Sequence, residues 1–257
     1  MAPRLWWRCP LPDPQPLTCR FRQDESDGEG SHLGRRGVSQ VVLTALIDVP
    51  APPPRVVADW EREMAHELQL VPGDVECLPW ARTRARWPDW RQCVQAARDW
   101  TQSLGMGDVL TDAEVALMAC RGARYHHDGV MYGGAAFCNL FLSEDRGLDL
   151  HFPGTGQRIP LTRGTAVVFD TCQPHAVIDR RSSGFAVADF SAERDCSQVF
   201  LTWELPLTNA LVAKALGLRL EGDAFDRADK ADEVAGRVLL DGKTARVCEH
   251  TGRWLTD

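Results

Sequence analysis

Three side chains have the types and spacing to do chemistry together. His126 and Asp128 lie two residues apart in Arg124-Tyr125-His126-His127-Asp128, and His175 follows far downstream in Cys172-Gln173-Pro174-His175-Ala176-Val177. In a strand, residues two apart share a face, so His126 and Asp128 point one way and His127 the other. A second imidazole arriving from a distant strand completes a set of two nitrogens and one carboxylate oxygen. Such a set suits a divalent first-row metal and leaves positions opposite it open. The triplet alone is a weak signal, because a hydrogen-bonded polar pair at a strand end has the same spacing.

Short strands broken by turns would have to position these residues. Val115–Cys120, Phe137–Leu142, Leu148–Phe152, Ala166–Phe169, Gly184–Phe190 and Val199–Leu205 read as strands, separated by Gly133-Gly134, Asp145-Arg146-Gly147, Gly154-Thr155-Gly156, Arg163-Gly164 and Ser182-Ser183-Gly184. That rhythm favours a barrel or a double-sheet jelly roll. Upstream, Gln40–Val49 reads as a further strand. Helical spacing then predicts helices near 55–70 and 87–104, with Pro53 and Pro88 near their starts, where a missing N–H costs least. Tryptophans 60, 80, 87, 90 and 100 are expected to fill the contact between helices and barrel. After Pro206, a short helix is expected near 211–220 and a hairpin over 237–248 turning at Asp241-Gly242. The expected organisation is one globular domain: a poorly ordered or draping segment at 1–37, a strand and supporting helices at 38–107, a β core at 108–207 and an extension at 208–257. The fold class is therefore mainly β with flanking α.

Composition narrows the alternatives. The chain has 257 residues, 44% apolar content and a net charge of −7. That balance gives no basic footprint for nucleic acid. No apolar run is long enough for a membrane span, and no hydrophobic stretch at the N-terminus reads as a secretory signal. Nine scattered cysteines without a C-x-x-C pair argue against a disulfide framework and a cysteine zinc site, so a reducing, cytoplasmic setting is expected. Oligomeric state is not legible.

From Gly147 the chain reads GLDLHFPGTGQRIPLTRGTAVVFDTCQPHAVIDRRSSGFAVADF. Together with Met118-Ala119-Cys120-Arg121 and Tyr125-His126-His127-Asp128 upstream, this resembles the 2-oxoglutarate- and Fe(II)-dependent dioxygenase superfamily, nearest its prolyl-hydroxylase-like branch, over about residues 108–205. The resemblance implies a double-stranded β-helix with His126, Asp128 and His175 as iron ligands. It implies 2-oxoglutarate and O2 as cosubstrates, release of succinate and CO2, hydroxylation of a small molecule, amino acid or peptide side chain, and ascorbate as an accessory reductant. Where the family carries a cation about ten residues past the distal histidine, this chain has Gly184-Phe185-Ala186. The cosubstrate carboxylate then falls to Arg121, or next to Arg180 and Arg181, with Asn139 as a hydrogen-bonding partner. His127 and His151 read as structural, and Tyr125 and Tyr132 bracket the first ligands. Two other readings share these residues: a cupin-like metal protein, and a jelly-roll binding module without activity.

Overall fold

The computed structural model describes residues 17–24, 31–191, 193–218, 220–221 and 236–256. In chain order the first strands are β1 (Leu17–Asp24), β2 (Ser31–Gly37), β3 (Val42–Leu46), β4 (Val75–Cys77), β5 (Val115–Arg121), β6 (Ala123–His126), β7 (Ala135–Phe141) and β8 (Leu148–Phe152). They continue as β9 (Gln157–Pro160), β10 (Thr165–Asp170), β11 (His175–Asp179), β12 (Ser197–Pro206), β13 (Leu220–Glu221), β14 (Val238–Leu240), β15 (Lys243–Val247) and β16 (Trp254–Thr256). The helices are α1 (Pro54–Arg62), extended by one π-helical turn at Glu63–Glu67, then α2 (Trp80–Arg86), α3 (Trp90–Ser103), α4 (Gly129–Tyr132) and α5 (Ala210–Ala215).

Two antiparallel sheets make a double-stranded β-helix: a larger one ordered β3-β10-β7-β12-β5-β4 and a smaller one ordered β6-β11-β8-β9. The period-two alternation of side chains across the larger sheet decides what each face does. Cys138 and Leu140 on β7, Leu117 and Ala119 on β5, and Leu201 and Trp203 on β12 join one core with Val56, Trp60, Trp87, Val94, Ala97 and Trp100 from the helices. Trp80 and Trp90 are partly buried against that core, so the five tryptophans hold the helices on the sheet. The alternate residues Phe141, Phe169 and Phe200 face the smaller sheet and pack with Leu150, Phe152 and Val177.

A third sheet, β13-β2-β1-β14-β15-β16, joins the two ends of the chain. Residues 1–16 lie outside the described residues, but 17–24 and 31–37, where composition argued for little order, are paired strands. Their order comes from distant partners: β1 pairs with β14, and Arg36 is fully buried on Asp170 through contacts of 2.6 and 2.7 Å. The expected C-terminal hairpin forms, with positive φ at Asp241 (51°) and Gly242 (78°) and Leu240 opposite Lys243, a two-residue turn suited to strand twist. Residues 184–190 are not the expected strand. They turn through a short 3-10 segment at Val187–Asp189, and the rings of Phe185 and Phe190 stack at 5.3 Å. Phe190 sits where Gly122 lacks a side chain, since a Cβ there would lie 2.4 Å from its ring. Burial of two aromatic rings holds this segment without ladder hydrogen bonds.

Candidate metal centre

Strand β6 ends on His126 and β11 begins on His175, and the two residues are direct cross-strand partners. Their rings stand 4.4 Å apart between centroids. Asp128 is not on the strand, as its spacing suggested. It occupies the turn into α4 with φ −98° and ψ 8°, and its amide donates to the Thr171 carbonyl at 2.7 Å. The turn still brings the carboxylate back: Oδ1 lies 3.7 Å from His126 Nε2 and Oδ2 3.4 Å from His175 Nε2. One donor atom from each of the three residues lies within 4.8 Å of the others.

The rest of each histidine is already committed. His126 Nδ1 is 2.7 Å from the Arg124 carbonyl, and His175 Nδ1 is 2.9 Å from the Gln173 carbonyl. A carbonyl only accepts, so each Nδ1 carries the proton and each Nε2 presents a lone pair to the centre. Burial holds His175 well below the usual imidazole range, with His126 adding to the effect. Burial also pushes the Asp128 carboxyl up, against the pull of His126 and His127. A desolvated carboxylate beside a buried imidazole is poorly compensated, and a divalent cation supplies positive charge. The donor set therefore fits Fe(II), zinc or another first-row divalent ion.

The three side chains share one wall of a cavity of about 470 Å³. Phe137, Phe141, Phe169, Phe200 and Met118 make it largely apolar, and Asn139, Thr202, Tyr132, Glu114 and Glu204 add polar groups. Asn139 is buried, and its Oδ1 accepts from Thr202 Oγ1 at 2.6 Å. The candidate arginines are elsewhere. Arg121 donates to the carbonyls of Phe190 and Ser191 at 3.1 and 2.6 Å. Arg180 is ion-paired with Asp145 and Asp149, and Arg181, whose side chain is 82% exposed, pairs with Asp179. Among the described residues no Arg or Lys lines the cavity.

His127 turns away and accepts from the Gly129 amide at 3.1 Å, its ring against Trp254. His151 is bonded to the buried Tyr125 hydroxyl at 2.6 Å and takes no part in the cluster. Thr202, Glu204 and Glu114 were not singled out from sequence. Their signal was present: Phe200, Thr202 and Glu204 alternate with Val199, Leu201 and Trp203 on β12. Alternation identifies a face, and only the fold shows that this face looks into a chamber.

No protein-family model and no curated protein matches the chain. Among solved structures, EvdO2 from Micromonospora carbonacea var. aurantiaca aligns at 14% identity and TM-score 0.38, covering 74% of this chain and 91% of that one, both alone and in a complex with 2-oxoglutarate. SnoN, an alpha ketoglutarate dependent epimerase from nogalamycin biosynthesis, aligns at 12% identity and TM-score 0.33 over 73% of this chain and 87% of its own. AviO1 from Streptomyces viridochromogenes Tue57 aligns at 14% identity and TM-score 0.31 over 63% and 89%. At these scores the likeness bears no weight, and function is argued from the site's own geometry.

Proposed function

We propose that this chain is a mononuclear Fe(II) oxygenase of the 2-oxoglutarate-dependent superfamily, hydroxylating a small molecule, an amino acid or a peptide side chain. The observation that carries the reading is the meeting of His126, Asp128 and His175 donor atoms within 4.8 Å at the wall of a largely apolar cavity. These three residues would hold the ion, which supplies the activation of O2. The chain's own contribution is placement. The Arg124 and Gln173 carbonyls fix both imidazoles in the ligating tautomer. Phe137, Phe141, Phe169 and Phe200 give the cavity apolar walls beside the three ligands. The Asn139 amide, braced by Thr202, offers N–H donors to an oxygen of the bound molecule.

The distal carboxylate of 2-oxoglutarate finds no guanidinium or ammonium among the described residues of the lining. The ordinary bidentate partner of such a group is missing there, so the lining does not fit that cosubstrate in the arginine-clamped manner. This absence favours a second reading, a cupin-like oxygenase whose substrate itself fills the positions left open by the protein ligands. Anaerobic Fe(II) loading with and without 2-oxoglutarate separates the two. A visible charge-transfer band on adding 2-oxoglutarate, with succinate formed in air, supports the first. Fe(II) uptake with a silent spectrum and no succinate supports the second. Failure to take up Fe(II) excludes both and leaves a binding module.

A further inference from the structure

The inner end of the cavity is apolar on both sheets. Two residues beyond His175 on β11 comes Val177, whose cross-strand partners are Ala123 on β6 and Leu150 on β8. On the facing sheet, Phe200 of β12 stands opposite Phe141 of β7 and Met118 of β5. All six line the cavity, with Cys120 beside them. Apart from the half-buried Met118, each is at most 7% exposed, and all pack in one cluster.

Polar groups lie toward the other end. Along β12 from Phe200 come Thr202, which is bonded to Asn139, and then the exposed Glu204. In the opposite direction, Gln198 is fully buried and outside the lining. On β11 the metal ligand His175 therefore stands one strand rung, about 6.8 Å, from a pocket that among the described residues holds no charge, amide or hydroxyl. An ion held by three protein donors keeps open positions. A molecule that fills two of them and extends inward must bring an apolar end. The second carboxylate of 2-oxoglutarate, placed there, is desolvated without a partner, at a heavy cost.

We infer that this centre takes, in place of 2-oxoglutarate, a monocarboxylic 2-oxo acid with an apolar tail. Its carboxylate and keto oxygens go to the metal, and its branched or aromatic tail lies among Ala123, Leu150, Val177, Phe141, Phe200 and Met118. The inference rests on the reading of this site as a mononuclear Fe(II) oxygenase and changes only the identity of the two-point ligand. The rings of Phe141 and Phe200, tilted by 33° with centroids 5.1 Å apart, give the tail broad apolar faces.

The test is anaerobic calorimetry on Fe(II)-loaded protein, with the visible charge-transfer band as a second readout. The probes are 2-oxoglutarate and the 2-oxo acids with methyl, isobutyl and phenylethyl tails. Each buried methylene is worth about four-fold in affinity. The isobutyl acid is therefore expected to bind at least about ten-fold more tightly than the methyl acid, and by at least the same factor more tightly than 2-oxoglutarate. Met118→Lys puts an ammonium into the pocket, and 2-oxoglutarate should then gain at least about ten-fold on the isobutyl acid; Fe(II) uptake reports that the variant is folded. In wild type, 2-oxoglutarate binding as tightly as the isobutyl and phenylethyl acids, an affinity independent of the tail, or no binding by any of the acids each overturns the inference. So does an unchanged order in folded Met118→Lys. Normal Fe(II) uptake in those cases leaves the oxygenase reading standing. If wild type takes up no Fe(II), the oxygenase reading fails and this inference fails with it.

Discussion

His126 and His175 sit directly opposite each other on the antiparallel pair of β6 and β11, while Asp128 reaches the same point from the turn that follows β6. Two strands and one turn thus fix three donors. The turn itself is tied to the loop before His175, because the Asp128 amide donates to the Thr171 carbonyl. Whatever holds that loop also holds the centre.

What holds it is Asp170. Its carboxylate accepts from Arg36, from the Ser39 amide at 2.8 Å and from the Cys172 amide at 2.9 Å, with both Arg36 and Asp170 fully buried. Removing one member of a buried charge pair leaves the other uncompensated. Arg36→Met is therefore expected to destabilise the fold by about 3–5 kcal/mol. Urea unfolding measures this, and a loss under 1 kcal/mol would show that the pair is not the anchor. Arg36→Lys is expected to recover only part of the loss, because one ammonium cannot reproduce the two-pronged contact.

Trp203 separates fold from site. It is 1% exposed on the helix side of β12, between Thr202 and Glu204, which face the chamber. Trp203→Ala is expected to cost about 3–5 kcal/mol through the cavity it leaves. At a temperature where the variant is folded, metal affinity should stay within about two-fold of wild type, since His126 and His175 are on the other sheet and Asp128 on the turn that follows it. A large loss of metal binding in the folded variant would mean that the two faces of the larger sheet are coupled.

How much of this was legible in the sequence depended on range. The β core and its turns follow from local alternation and spacing, and the structure has that architecture; His126, Asp128 and His175 do meet, but strand alternation is not what brings Asp128 there, since it lies on the turn after β6. The role given to residues 184–190 failed because Phe185 and Phe190 satisfy themselves by stacking, which a propensity for extended backbone does not reveal. The order of residues 17–24 and 31–37 was hidden because their partners lie at the far end of the chain and because an isolated Arg36 reads as a solvated charge. Arg121, Arg180 and Arg181 were plausible carboxylate partners by sequence position alone. Asp145, Asp149, Asp179 and two main-chain carbonyls claim them instead.

Asp179, at the end of the strand that begins with His175, carries the pH prediction. Burial pushes its carboxyl up, but bonds from Arg181 and Arg194 outweigh this and hold it below the usual carboxylate range. A depressed folded-state pKa contributes stability that is complete above the unfolded value, near 3.9 for Asp, and is lost as pH falls toward the folded value. Asp179→Asn should therefore be less stable than wild type at pH 7, with the gap narrowing below about pH 4. Urea midpoints at pH 7 and pH 3 check the sign; a gap that widens in acid contradicts it.

The most direct measurement is an anaerobic calorimetric titration of Fe(II) into wild type and four single variants. Wild type is expected to take up one equivalent. His175→Ala and Asp128→Ala should weaken binding by about a hundred-fold or abolish it, whereas His127→Ala and His151→Ala should weaken it by no more than about ten-fold, the lower end for a supporting residue. No saturable uptake by folded wild type, or equal losses in all four variants, would contradict a metal centre built from His126, Asp128 and His175.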